Sequence, residues 1–183
     1  MRTKAFLLCV LFVSIISFLV VGESMAWSAR SIDADVDTSL NKFEDIQGAK
    51  SVIAKAEGIL VFPHVFKAGF GIGGEYGEGA LRIDGKTVDY YNTAAASIGF
   101  QLGGQKKTII IAFMDKGALE DFRNSSGWKI GADASVAVIA IGSGAAIDSS
   151  NINEPIVGFI LDQKGLMYNL TLEGAKITKL NKS

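Results

Sequence analysis

The sequence is short of the residue types on which most protein chemistry depends. Of its 183 residues one is cysteine, one is histidine and two are proline. The cysteine, Cys9, lies inside an apolar run near the start. A single thiol closes no intrachain disulfide, and one histidine builds no histidine metal site. A serine triad would pair His64 with a nucleophile elbow, but no G-x-S-x-G is present; Ser143 stands in a plain Gly-Ser-Gly. Charge of one sign is also missing. Eighteen basic residues face nineteen acidic ones, a net charge of −1, so no basic excess points to nucleic acid. Neither a metal nor a cofactor is expected, and no catalytic set assembles.

What is present starts with an address. Met1-Arg-Thr-Lys4 is basic, Ala5 to Val21 is apolar with only Ser14 and Ser17 interrupting, and Ser24-Met25-Ala26 puts small residues before Trp27. That order is a secretory signal, and residues 1–26 are read as one, cleaved after Ala26. An uncleaved anchor is the competing reading, since a span takes about 20 residues. The expected location is outside the cytoplasm, in the periplasm or cell envelope. Arg2, Lys4 and Glu23 lie in the segment, so the remainder carries 16 basic and 18 acidic residues, a net charge of −2.

Residues 27–48 read as a short linker, Trp27 to Arg30, followed from Ser31 by an amphipathic helix. Ile32, Val36, Leu40, Phe43 and Ile46 form one apolar stripe, with Ser31 placed to cap it. Ala49, Val52, Ile53 and Ala56 mark a second helix, which Gly58 is placed to end. From Ile59 the pattern is β. Ile59 to Phe62 is closed by Pro63, and Asp84-Gly85 is a hairpin turn between Ala80 to Ile83 and Thr87 to Tyr91. Ala96 to Gly103 alternates as a half-buried strand, and Thr108 to Met114 is apolar throughout, as in a strand covered on both faces. Asp115 caps one inserted helix with Leu119 and Phe122 on its apolar side. Trp128 to Ile141 reads as one long strand, followed by Ile156 to Leu161 and Leu166 to Leu172. The basic tail from Lys176 reads as frayed. The fold class is α+β: a strongly curved, mostly antiparallel sheet or barrel with two N-terminal helices and one inserted helix.

The most distinctive stretch is Gly58 to Gly79, GILVFPHVFKAGFGIGGEYGEG. Gly69, Gly71, Gly73, Gly77 and Gly79 fall on odd positions, while Phe70, Ile72 and Tyr76 fall on even ones. Residues two apart in a strand share a face, so one face is nearly bare and the other carries rings. A bare face admits close backbone approach or sharp curvature. Phosphate loops do not fit. Tyr76 takes the third glycine slot of G-x-G-x-x-G, Gly79 to Thr87 has one residue too many for G-x-x-x-x-G-K-T, and no helical pattern follows either.

This run resembles the opening signature of the SYLF domain family. The resemblance continues through Ile98 to Gly103, Leu119 to Phe122, Gly131 to Val136 and Gly165-Leu166 to Leu172-Glu-Gly174, about Ala49 to Gly174 in all. It implies a SYLF-type domain over residues 49–183. That family includes fungal actin-bundling proteins, animal phosphoinositide-binding proteins and many secreted bacterial proteins. It implies a non-catalytic module that binds lipid or membrane. Two departures stand out. The first helix carries Asp33, Asp35, Asp37, Glu44 and Asp45 against Lys42, and Met167-Tyr-Asn169 replaces the more usual aromatic, small residue and glycine.

Candidate contacts for an anionic phospholipid or membrane surface are therefore basic and outside that helix: Lys67, Lys106 and Lys107 at strand ends, with Lys50 and Lys55 on the second helix. His64 reads as a turn or rim residue. Glu75 and Glu78 fall on opposite strand faces and read as solvated strand-end charges. Asp133 needs a partner if buried, with Lys129 or a nearby backbone amide in reach. Asn124-Ser-Ser126 and Asn169-Leu-Thr171 match a glycosylation sequon without structural support. The rival reading is a structural or protein-interaction element of the envelope with no small ligand.

Overall fold

A computed structural model describes residues 27–99, 105–142, 146–148, 152–164 and 172–182, of which 68–72, 97–99, 105 and 162–164 are described by backbone alone. Two helices open the fold, α1 (Ala29–Glu44) and α2 (Ala49–Lys55). The stripe holds: Ile32, Val36 and Phe43 are buried. The cap is Ser28 rather than Ser31. The Ser28 hydroxyl accepts from the Ser31 amide at 3.1 Å, so the helix starts within the expected linker. Gly58 does not end α2; Ala56 caps it, and Gly58 opens the first strand.

The strands are β1 (Gly58–Ile83), β2 (Lys86–Gly99), β3 (Gln105–Phe113), β4 (Trp128–Lys129), β5 (Ala137–Ala140), β6 (Ile156–Lys164) and β7 (Lys176–Leu180), with α3 (Lys116–Asn124) between β3 and β4. They form one sheet in the order β4-β7-β2-β1-β3-β6-β5. Every strand pair is antiparallel except β5 with β6. The sheet is strongly curled into a half-barrel, so the expected α+β class stands. The Asp84-Gly85 turn has both residues at positive φ, 50° and 74°, as a two-residue hairpin with right-handed twist requires.

Alternation sorts the side chains into two cores. Leu60, Phe62, Leu81, Tyr91, Ile111 and Phe113 point into the concave face, where α3 inserts Leu119 and Phe122. Phe122 stands 4.9 Å from both Tyr91 and Phe113 and 5.2 Å from Trp128, centroid to centroid. Ile59, Val61, Ala80, Ile110, Ala112 and Phe159 point the other way and pack on α1 and α2. β3 is thus covered on both sides, as its unbroken apolar run implied.

β1 reverses on itself. Its later half pairs with β2 and its earlier half with β3. Lys67 and Glu75 form an ion pair at 3.4 Å, whereas eight extended residues would span about 26 Å. The two halves then run side by side. A Cβ on Gly79 would overlap the Val61 carbonyl oxygen, and one on Gly77 would lie 2.7 Å from the His64 carbonyl oxygen. Close approach, rather than flexibility, explains these two glycines. Gly74 is different, with Ala95 O at an ordinary 3.7 Å from its Cβ position.

Three further expectations are corrected, and one falls outside the described residues. His64 is not in a turn: it follows Pro63 through a β-bulge between Phe62 and Val65, where the missing proline amide costs no ladder bond. Trp128 to Ile141 is not one strand. The Asp133 carboxylate accepts from the Lys129 amide at 2.6 Å and folds a turn there, so this residue has the local structural role expected of it. The strand expected at Leu166 to Leu172 falls almost wholly outside the described residues. The C-terminal tail is not frayed. Lys176 to Leu180 is β7, hydrogen-bonded between β2 and β4.

Candidate functional site

The register brings the candidate residues to one end of the sheet, where Lys67, Glu75, Ala94 and Lys107 fall on neighbouring rows. On the concave side Glu75 accepts from Lys107 at 2.7 Å and faces Lys67 at 3.4 Å. All three side chains are less than a fifth exposed. Two corrections follow. Glu75 is not a solvated charge, and Lys67 and Lys107 are not free rim lysines but partners of one carboxylate. Lys67 and Lys107 alternate onto the same face as Val65 and Ile109, which the bulge at Pro63 makes possible. The sequence signal was weak, because the pairing depends on the reversal of β1.

Glu78 faces the other side and is 3% exposed, so it too is no solvated charge. It accepts from the Tyr76 hydroxyl at 2.8 Å and from Lys182 at 2.5 Å. The Lys182 ammonium also donates to the Trp27 carbonyl, which ties both ends of the described chain to this carboxylate. Burial of the Tyr76 hydroxyl, and then its bond to Glu78, push its pKa up to about 12. Its ring edge remains out: Tyr76 is 43% exposed.

On that outer side a stripe of exposed groups crosses the strands. Ala94 is opposite Tyr76, the reversal of β1 sets Phe66 beside it, and Lys106 is opposite Phe66. Phe66 is 43% exposed and stacks on Trp27 at 6.1 Å. The Lys106 ammonium lies 5.8 Å from the Phe66 ring centroid. Three aromatic rings and one lysine thus share a patch that sequence reasoning reached only in part. Lys106 was expected there; Phe66, Tyr76 and Trp27 were not. Their signal was the even-numbered rings of the ladder, but which face they would take depended on where the helices pack. Lys50 and Lys55 sit exposed on α2 and do not join this cluster.

Three acids of α1 are paired to the sheet, although Asp35 and Asp37 remain 43% and 63% exposed. Asp33 accepts from Thr87 at 2.7 Å and from Tyr90 at 2.8 Å, Asp37 pairs with Arg82 at 2.6 Å, and Asp35 lies 3.4 Å from His64. These contacts pin α1 to the sheet. Among the described residues no group of three or more His, Cys, Asp or Glu side chains could hold a metal ion. No described helix is long and apolar enough to cross a membrane.

Fold and site together define a small α+β domain on a curled half-barrel, with an amphipathic patch at one end. Residues 94–183 match the family described as Ysc84, Las17-binding protein actin regulator. That match is consistent with the SYLF resemblance of its motifs. The match begins inside β2 and runs past β7, so it covers β3 to β7 but not the glycine ladder. No curated protein matches the chain.

Proposed function

We propose that this protein is a non-catalytic module that docks on anionic membrane surfaces, exported to the cell envelope by its N-terminal segment. The observation that carries the reading is the stripe of Trp27, Phe66, Tyr76 and Lys106. Tryptophan and tyrosine favour the headgroup layer, where a ring meets acyl chains and a polar edge meets water. A lysine near an anionic surface adds about 1 kcal/mol, or roughly fivefold in affinity. The stripe supplies both at one sheet end. The family description names an actin regulator that binds Las17. An exported chain shares the module with such proteins rather than the partner.

Vesicle binding tests the reading. Trp128 is buried in the concave core, so Trp128→Phe leaves Trp27 as the reporter among the two tryptophans. Trp27 fluorescence should shift to the blue and be quenched by brominated acyl chains in vesicles containing phosphatidylglycerol. Phe66→Ala with Lys106→Ala should abolish flotation while the melting temperature holds. Added salt should remove only the lysine share. Unchanged flotation of the double variant would sink the proposal.

A further inference from the structure

His64 is the only histidine in the sequence, and it stands where α1, the bulge of β1 and the aromatic stripe meet. Both of its ring nitrogens face acceptors. Nδ1 lies 2.7 Å from the Pro63 carbonyl oxygen, and Nε2 lies 3.4 Å from Oδ2 of Asp35 on α1. A neutral imidazole has one N–H; if Nδ1 donates to Pro63, the lone pair of Nε2 is turned on a carboxylate. The imidazolium donates to both. The ring also borders the stripe. Its centroid is 6.3 Å from that of Phe66, and the Lys106 ammonium lies 5.8 Å from the same Phe66 ring. The His64 side chain is 29% exposed and that of Asp35 is 43% exposed, so both reach solvent there. Among the described residues the other charged groups of the elements packed around the ring are turned elsewhere. Asp33 and Asp37 of α1 face Arg82, Glu78 of β1 holds Lys182, and Lys107 of β3 holds Glu75 on the concave side.

We infer that His64 makes docking by the aromatic stripe acid-responsive. The inference rests on the docking reading above and names what regulates that same stripe. Histidine ordinarily changes charge between about pH 5 and pH 8. While the ring is neutral, Asp35 stands beside the stripe as a negative charge and opposes Lys106 at an anionic surface. Protonation completes the pair, and the charge of the ring offsets that of the carboxylate. One unit of positive charge gained at an anionic surface is worth about fivefold in affinity. The stripe therefore holds an anionic bilayer more tightly in acid.

A single histidine makes the test clean, because no other imidazole titrates. The probe is vesicles of phosphatidylcholine with phosphatidylglycerol at low salt. Binding of the parent should rise about fivefold from about pH 7.5 to about pH 5.5. Vesicles of phosphatidylcholine alone should show no such rise. His64→Gln should lose the rise while melting like the parent. Asp35→Asn should bind more tightly than the parent at about pH 7.5, by up to about fivefold. A rise in His64→Gln equal to that of the parent overturns the inference, as does a parent that binds equally at both pH values. No gain in Asp35→Asn does so as well, which keeps the test decisive should His64→Gln fold poorly. Each of these results leaves the docking reading standing, because vesicles are still bound. No binding by the parent at either pH sinks the docking reading and this inference together.

Discussion

The two ends of the half-barrel solve the same packing problem in opposite ways. At the end bearing Phe113, Leu60, Leu81 and Tyr91, both faces of the sheet are dry and covered by helices. At the end bearing Lys67, Glu75 and Lys107, the concave face is held by charge and the outer face is left aromatic and open. The difference teaches where stability and recognition part company in this fold. Apolar burial of about 25 cal/mol per Å² fixes the first end, and the second keeps surface in reserve.

Three changes test that division. The largest effect is expected where the halves of β1 touch. Gly79→Ala puts a methyl group into the Val61 carbonyl and the Phe62 ring, and should cost about 3 kcal/mol or more by denaturant unfolding. Gly74→Ala, in the same strand but on the opposite face and with room, should stay within about 0.5 kcal/mol. Equal costs would mean that the ladder is not a contact device. Next comes the charged end. Glu75→Gln strands two ammonium groups that are less than a fifth exposed, and should cost about 2 kcal/mol. Adding Lys107→Met should recover part of that loss; no recovery would show that Lys107 does not depend on Glu75.

The smallest effect is in alkali. Burial first, and Asp89 second, push the Tyr91 pKa up to about 12. Tyr76 is raised as far. A raised tyrosine pKa favours the neutral phenol in the folded state. Its contribution is full below the unfolded pKa of about 10 and is lost as pH climbs toward 12. Melting temperatures should therefore fall over that window, and Tyr91→Phe should flatten the fall. A profile with the same slope in the variant would assign the titration elsewhere.

Much of the closed end was legible in the sequence, because its signals are local. The stripe of α1, the Asp84-Gly85 turn, the Asp115 cap and the apolar run of β3 are each set by residues close in sequence. The open end was less legible for the same physical reason. Lys107 was read as a surface charge because Glu75 lies far off in sequence, and Lys182 meets Glu78 across 104 residues. Lysine and glutamate look solvated unless their partners are known. The acids of α1 were legible as charges but their partners were not: Asp33, Asp35 and Asp37 meet Thr87, Tyr90, Arg82 and His64 from distant parts of the chain. Lys106 is exposed, as its place at a strand end implied, because it needs no distant partner to reach solvent.

The place of β7 has a consequence in time. β7 is the last described strand but sits inside the sheet, and β4 has no other described strand to pair with. While the chain is being made, β2 keeps a bare edge and β4 stays unpaired until Lys176 to Leu180 emerge from the ribosome. Loop closure between such distant strands is slow, so topology sets the pace. A nascent chain of this kind keeps that part of the sheet open until β7 has been made.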